Sequence, residues 1–282
     1  MRFIHSLSTR SLGIQLYDDT NNLKRLLVYV VYYATSVAYL KRINQKIVLH
    51  TDSLGERMLG YLPYDEIHLT CDDIPENIHP RFWAYPKMFS MSKETLNSIH
   101  IDGDVFIKKQ SLVDDLEKFD FDVLVQNFES AEWYDEIADC LWIDENYCLS
   151  KGLILDDAGA YNTGIFGFNN QELKDKFLNG YFDIVNHYSN NYKTLLDEKV
   201  MNTPDVVVEQ QYIYQLAQPY NKKILIESEI TSKDFCSNAN KIGYQHVITR
   251  KAECVDKCLS VLKQLNEDIY NKTIKICQIL NK

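Results

Sequence analysis

The sequence predicts an α/β protein, with a mainly parallel, mixed central sheet sandwiched by helices and a long C-terminal helix. Three observations carry this reading. Short apolar runs rich in β-branched residues alternate with longer runs of helical length. Turn and cap residues separate the runs, with no Pro/Gly/Ser-rich linker and no internal repeat. The stretch from Ala252 to Leu280 repeats apolar residues at helical spacing, through Cys254, Cys258, Val261, Leu262, Leu265, Ile269, Ile276 and Leu280. A length of 282 residues suits one core, so a single domain over residues 1–282 is expected, with 252–282 as its helical tail.

Taken in order, Phe3 to Leu7 reads as a first strand, followed by a polar loop through Asn22. The stretch Leu23–Ile43 predicts a helix, and Lys46 to His50 a buried strand. Thr51-Asp52-Ser53-Leu54-Gly55 then predicts a loop and helix cap, because an Asp before a helix accepts its orphan N–H groups. Glu66 to Leu69 predicts a strand and Pro80 to Leu96 a helix. Ile99-His100-Ile101 is the next strand, with Asp102-Gly103-Asp104 at its carboxyl end. Leu112 to Lys118 predicts a helix, and Phe121 to Val125 an apolar strand. Residues 129–150 are acidic and aromatic without a period, which predicts an insertion over the sheet. Gly164 to Phe168 predicts a strand, Gln171 to His187 and Asp205 to Gln218 helices, and Lys223 to Glu227 a late strand. The C-terminal helix is expected to break near Asn271.

The apolar run Leu26 to Leu40 is about 15 residues, short of the roughly 20 that span a bilayer, and it carries Thr35 and Ser36. A buried helix is expected. Met1-Arg2-Phe3-Ile4-His5 turns polar at once, which predicts no secretory leader. The seven cysteines are scattered, with no C-x-x-C pair and no zinc spacing, so reduced thiols in a cytoplasmic protein are expected. Cys254 and Cys258, one helical turn apart, read as packing residues.

The formal charge is −10, from 40 acidic and 30 basic residues. Such a chain repels phosphate backbones, which argues against nucleic acid as a partner. A cleft for an anionic nucleotide in it needs a cation of its own, and that points to a metal.

Ligands of open α/β sheets bind outside the carboxyl ends of the strands. Two carboxylates one residue apart at such an end can bracket a divalent cation, and Gly103 between them allows close approach. Hard cations such as Mn²⁺ and Mg²⁺ prefer oxygen ligands and keep positions open for phosphates. Alone, an acidic turn after a strand is a solvated loop. Here apolar Ile99 and Ile101 precede it and Val105-Phe106-Ile107 follow it.

The segment His100-Ile101-Asp102-Gly103-Asp104-Val105-Phe106-Ile107 resembles the D-x-D signature of glycosyltransferases with the glycosyltransferase-A fold. Three further segments resemble that superfamily in the expected order: Arg81-Phe82-Trp83-Ala84-Tyr85-Pro86-Lys87, Tyr161-Asn162-Thr163-Gly164-Ile165-Phe166-Gly167-Phe168, and Gly243-Tyr244-Gln245-His246 with Arg250 and Lys251. The likeness covers roughly residues 1–251, each motif but D-x-D being loose. It looks closest to bacterial enzymes that build surface polysaccharide or lipopolysaccharide.

The resemblance implies a nucleotide-diphospho-sugar transferase: a nucleoside diphosphate sugar donor, a saccharide or lipid-linked acceptor, Mn²⁺ or Mg²⁺, and work at the inner face of the membrane with peripheral contact. It implies Asp102, Asp104 and His246 as metal ligands, and Asp102 and Lys251 at the diphosphate. His246 reads equally as a hydrogen-bonded structural residue. Lys87 is either at the diphosphate or a solvated helix residue. Ser6, Ser8 and Thr9 end the first strand, where this fold holds base and ribose, or form a plain polar loop. Asn162-Thr163-Gly164 is a turn feeding a strand, an amide and backbone donors for sugar hydroxyls, or both. An inverting enzyme needs a carboxylate base. Glu129, Asp156, Asp157 and Glu209 are candidates, Glu209-Gln210-Gln211 resembling the acidic helix start beneath the acceptor, although an acid there also suits a helix dipole.

Two other readings stand beside this one. A haloacid-dehalogenase-like phosphatase also carries D-x-D after an apolar strand, but near the start of the chain with a later acidic pair, which Asp156-Asp157 matches poorly. A non-catalytic sugar-nucleotide-binding protein would have no need for the intact Asp102 and Asp104.

Overall fold

The computed structural model describes residues 1–11, 22–118, 120–130, 141–155, 159–198, 204–226, 232–248 and 251–280. In chain order they form β1 (Arg2–Leu7), α1 (Asn22–Arg42), β2 (Ile47–Thr51), α2 (Ser53–Leu59), β3 (Glu66–His68), α3 (Tyr85–Lys93), β4 (Ser98–Ile101), β5 (Val105–Ile107), α4 (Gln110–Leu116) and β6 (Val123–Ser130). Then come α5 (Glu145–Ser150), β7 (Gly159–Asn162), β8 (Ile165–Phe168), α6 (Gln171–Asn191), α7 (Lys193–Glu198), α8 (Pro204–Val206), a π turn (Val207–Gln211) and α9 (Tyr212–Leu216). The last elements are β9 (Lys222–Ile226), α10 (Ser232–Ile242), β10 (Tyr244–His246), α11 (Lys251–Leu265) and α12 (Glu267–Leu280). This is the mixed α/β class expected from the sequence.

The chain forms two compact units, each assembled from separated segments: residues 1–72, 99–118 and 232–282, and residues 73–98 and 119–231. In the first, strands run in the order β3-β2-β1-β4, with β1, β2 and β3 parallel. Every residue of β2 is buried, Ile47, Val48 and Leu49 as apolar core and His50 and Thr51 as buried polar groups, as suits an inner parallel strand. The predicted cap holds: the Asp52 carboxylate accepts from the Gly55 N–H at 2.8 Å and starts α2.

Helix α1 buries Val28, Val31 and Tyr32 against Phe106, Val247 and Cys258, with Cys254 and Cys277 at the edge of the same cluster. Burial pushes the Cys258 and Cys277 thiols up to about 11. They are inert packing groups. Among the described residues no helix is long and apolar enough to cross a membrane.

The C-terminal tail breaks at Asn266, not near Asn271. Asn266 N–H ends α11 on Leu262 O at 2.8 Å, and its side chain accepts from Ile269 N–H at 3.0 Å. One Asn thus serves as both stop and cap.

The second unit is built around β6. Val123 pairs with Phe168 of β8 on one side and Lys222 of β9 on the other, and Asn127 with Asn162 of β7 and Ile226 of β9. So β9 runs parallel along one edge of β6, while β7 and β8 share the opposite, antiparallel edge. Between them the register slips by two residues, taken up by Thr163 and Gly164. The Asn162-Thr163-Gly164 turn is therefore a bulge interrupting one strand edge, a device common beside active sites. Helix α6 lays Leu173, Phe177, Tyr181, Ile184, Val185 and Tyr188 along one stripe into the core.

Several boundaries differ from expectation. Helix α3 begins only at Tyr85, with Pro86 in its first turn, and ends at Lys93 before the extended Glu94; Asn97 follows at φ 68°. Residues 129–150 are not wholly an insertion: β6 extends through Ser130 and α5 covers Glu145–Ser150, while 131–140 lie outside the described residues. Strands β5, β7 and β10 and helix α10 were not anticipated as elements.

Candidate metal and active site

In the first unit, β4 delivers the chain into Asp102-Gly103-Asp104, and the Val105 N–H closes the turn on Asp102 O at 2.9 Å. Val105 opens β5, which pairs antiparallel with β10, setting His246 opposite Val105. Gly243 makes that approach feasible. Its N–H ends α10 on Ala239 O, its φ is +120°, and its carbonyl accepts from Lys108 and Lys109 N–H. Asp102, Asp104 and His246 each offer a ligand atom, all within 4.8 Å of one another.

Bonds of about 2.1 Å to one divalent ion put neighbouring donors about 3 Å apart. The His246 Nε2 to Asp104 Oδ1 distance of 3.5 Å is close to that span. Two carboxylates with one imidazole are a donor set suited to Mn²⁺ or Mg²⁺. The residues fit such an ion.

Lys251, at the start of α11, places Nζ 2.6 Å from Asp104 Oδ2. Burial alone would push the Asp104 carboxyl pKa up. The charges of Lys251 and His246 outweigh it and hold the group well below the usual carboxylate range.

Around this turn the unit is closely braced. The Ser6 hydroxyl and His100 Nε2 are 2.8 Å apart, and His100 Nδ1 lies 3.7 Å from Asp102 Oδ1. Tyr33 donates its hydroxyl to Ser6 O at 2.5 Å, while its ring fills the space beside Gly103 that a Cβ would need. Thr9 commits its N–H and hydroxyl to Asp52, at 2.6 and 3.0 Å, and Ser8 is buried. Below lies His5, whose Nε2 meets Ser36 Oγ at 3.1 Å and Nδ1 meets Tyr64 OH at 2.9 Å. Because Ser36 Oγ donates to Val105 O, it accepts from Nε2–H, which fixes the neutral tautomer.

The second unit holds the remaining predicted residues. Lys87 is no solvated helix residue: it is 4% exposed, donates to Thr163 O at 2.6 Å and pairs with Glu209 Oε1 at 2.7 Å. A lysine carried on the inner face of α3 has to be compensated, and the fully buried Glu209 of the π turn does so. Glu209 therefore sits inside a π turn rather than at a helix start. It also accepts from the Thr163 hydroxyl at 2.6 Å. Asp205 is buried beside it, accepting from Tyr181 OH at 2.6 Å and from the Ala84 N–H. Burial, then the charge of Glu209, raise its pKa well above the usual range.

Asn162 donates to Glu129 Oε1 at 2.8 Å and accepts from the Gly164 N–H at 3.0 Å. Glu129 is half-buried near the end of β6. Asp156, Asp157 and Arg250 lie outside the described residues. Sequence reasoning passed over Tyr33, Asp52 as a clasp for Thr9, Asp205 and Tyr181; of these only Asp52 carried a local signal, its cap position.

No curated protein matches the chain. Among solved structures it is similar to the galactosyltransferase LgtC in complex with donor and acceptor sugar analogs, at 12% identity, 94% of this chain, 96% of that one and a TM-score of 0.43. An active-site mutant of LgtC aligns at 11% identity over 92% and 95%, with a TM-score of 0.43. The apo form of mouse xyloside xylosyltransferase 1 aligns at 10% identity over 79% and 84%, with a TM-score of 0.37. Likenesses this distant leave the chemistry to be argued from the residues themselves. Residues 1–279 match the family described as "Family of unknown function (DUF6734)", and the chain belongs to that family.

Proposed function

We propose that this chain is a metal-dependent glycosyltransferase that moves a sugar from a nucleoside diphosphate donor to a hydroxyl acceptor in surface glycan synthesis, at the inner face of the membrane. The observation that carries it is the Asp102, Asp104 and His246 triad, gathered within 4.8 Å at the end of a buried strand. The motif resemblance described above supports the donor class and the setting.

In this reading Asp102, Asp104 and His246 hold Mn²⁺ or Mg²⁺, which when bound neutralises charge building on the diphosphate leaving group. Lys251 adds a positive charge at the same carboxylate and binds phosphate oxygen. Ser6, Ser8 and Thr9 receive base and ribose. Their segment is held in place by Asp52, which accepts from Thr9, and by His100 beside Ser6.

Acceptor hydroxyls are recognised by Asn162, Thr163 and Gly164. Of the candidate bases, Glu129 is the one we favour, because it is half-buried near the end of β6 and bonded to Asn162 of the acceptor-side turn; Asp157 is the second. Glu209, with no exposure and bonds to Lys87 and Thr163, cannot reach an acceptor's hydroxyl without movement, so Lys87 and Glu209 act by bracing the Thr163 bulge.

A thermal-shift panel tests the reading. Uridine or guanosine diphosphate should raise the melting temperature only with Mn²⁺ or Mg²⁺ present, since a ligand of the native state stabilises it. Equal stabilisation in a chelator removes the metal from the reading. Turnover of a phosphate ester, with no sugar-nucleotide turnover, replaces it with a phosphatase.

A further inference from the structure

We propose that Tyr33 is a positioning residue for the metal site: its buried ring sets the spacing of Asp102 and Asp104, and it dictates that the residue between them is glycine. This rests on the metal-site reading above and goes past it, because Tyr33 touches neither ion nor substrate.

The geometry is specific. A Cβ built on Gly103 falls 2.5 Å from Cδ2 and Cζ of Tyr33, and nearer still to Cε2. Such a clash is cheap when a side chain can swing away. Tyr33 cannot. Its hydroxyl is tied to Ser6 O at 2.5 Å, and His5 stands edge-on to its ring with centroids 5.1 Å apart. The ring itself is 6% exposed, on the inner face of α1. Glycine at 103 is thus needed for room rather than for a left-handed backbone.

The contacts close on themselves. Tyr33 bears on Gly103 and on Ser6; Ser6 meets His100; His100 reaches Asp102, next to Gly103. Ligand carboxylates are held to a useful position only when their supports are locked by packing and hydrogen bonds. Here one aromatic ring locks both the loop after β1 and the acidic turn.

The test titrates the full chain with Mn²⁺ alone, by calorimetry, and measures amide exchange at Val105, whose N–H closes the turn, without metal. Gly103→Ala and Tyr33→Leu should each weaken Mn²⁺ binding about tenfold or more, as loss of outer support does, and speed Val105 exchange. Combining them should restore part of the Gly103→Ala loss, because the smaller side chain vacates the space. Tyr33→Phe keeps the ring but cuts its tie to Ser6 O, and should show a smaller loss than Tyr33→Leu. Wild-type affinity and exchange in Tyr33→Leu, or simple additivity in the pair, overturns the inference and leaves the metal reading standing. A wild-type chain that takes up no Mn²⁺ overturns both. If Tyr33→Leu fails to fold, Gly103→Ala, which removes no buried group, decides alone.

Discussion

The ammonium of Lys251 sits 2.6 Å from Oδ2 of Asp104 and leaves Oδ1 of the same carboxylate toward His246. The carboxylate is thereby kept ionised although it is buried. Its two oxygens have different tasks, one neutralised by lysine and one able to ligate. Asp104→Asn keeps the shape and removes the charge. We expect it to abolish Mn²⁺-dependent stabilisation and turnover with the fold retained; full activity in this variant removes the metal-site reading.

His246→Ala should weaken Mn²⁺ binding by at least about tenfold, the scale on which metal-site residues act, without changing circular dichroism. An unchanged Mn²⁺ titration assigns His246 a structural role, holding β10 against β5.

Acid should unfold the chain through His5. Burial, opposed in part by Asp104, holds its imidazole at about 3, against an ordinary value of about 6.5. Between those values the unfolded chain binds one proton that the folded chain refuses. The contribution of His5 to stability is therefore full above pH 6.5 and is lost on acidification toward pH 3, at up to about 1.4 kcal/mol per pH unit. Urea midpoints for wild type and His5→Gln at pH 7 and pH 4.5 measure this; the variant should show the shallower decline.

Phe177→Ala should destabilise by about 3–5 kcal/mol, a full cavity at a site with no room to collapse. The ring is fully buried, with centroids 5.7 Å from Phe166 and Tyr212 and 5.8 Å from Phe168. A loss below about 1 kcal/mol, on the same scale, would mean that α6 is not anchored by that stripe.

What the sequence made legible is what depends on neighbours in the chain. β1, α1, β2 and the Asp52 cap lie where apolar period and capping chemistry put them, because both are local. The acidic turn after β4 was equally visible. Strands of three residues such as β5 and β10 carry no period of their own and exist only as a pair formed from distant segments. Lys87 reads as solvent-facing until Glu209 is brought to it, and Asn266 was masked by an apolar pattern that runs through it on both sides. Tyr33 was hidden in the apolar run of α1, where nothing distinguishes it from the adjacent Tyr32 except what each ring meets.

The pairing of β5 with β10 has a bearing on how the protein comes off the ribosome. A nascent chain that has completed β5 carries the carboxylates of Asp102 and Asp104 but not His246 and Lys251, which are made much later. A chain that stops before β10 lacks both of them, and with them the partner strand of β5.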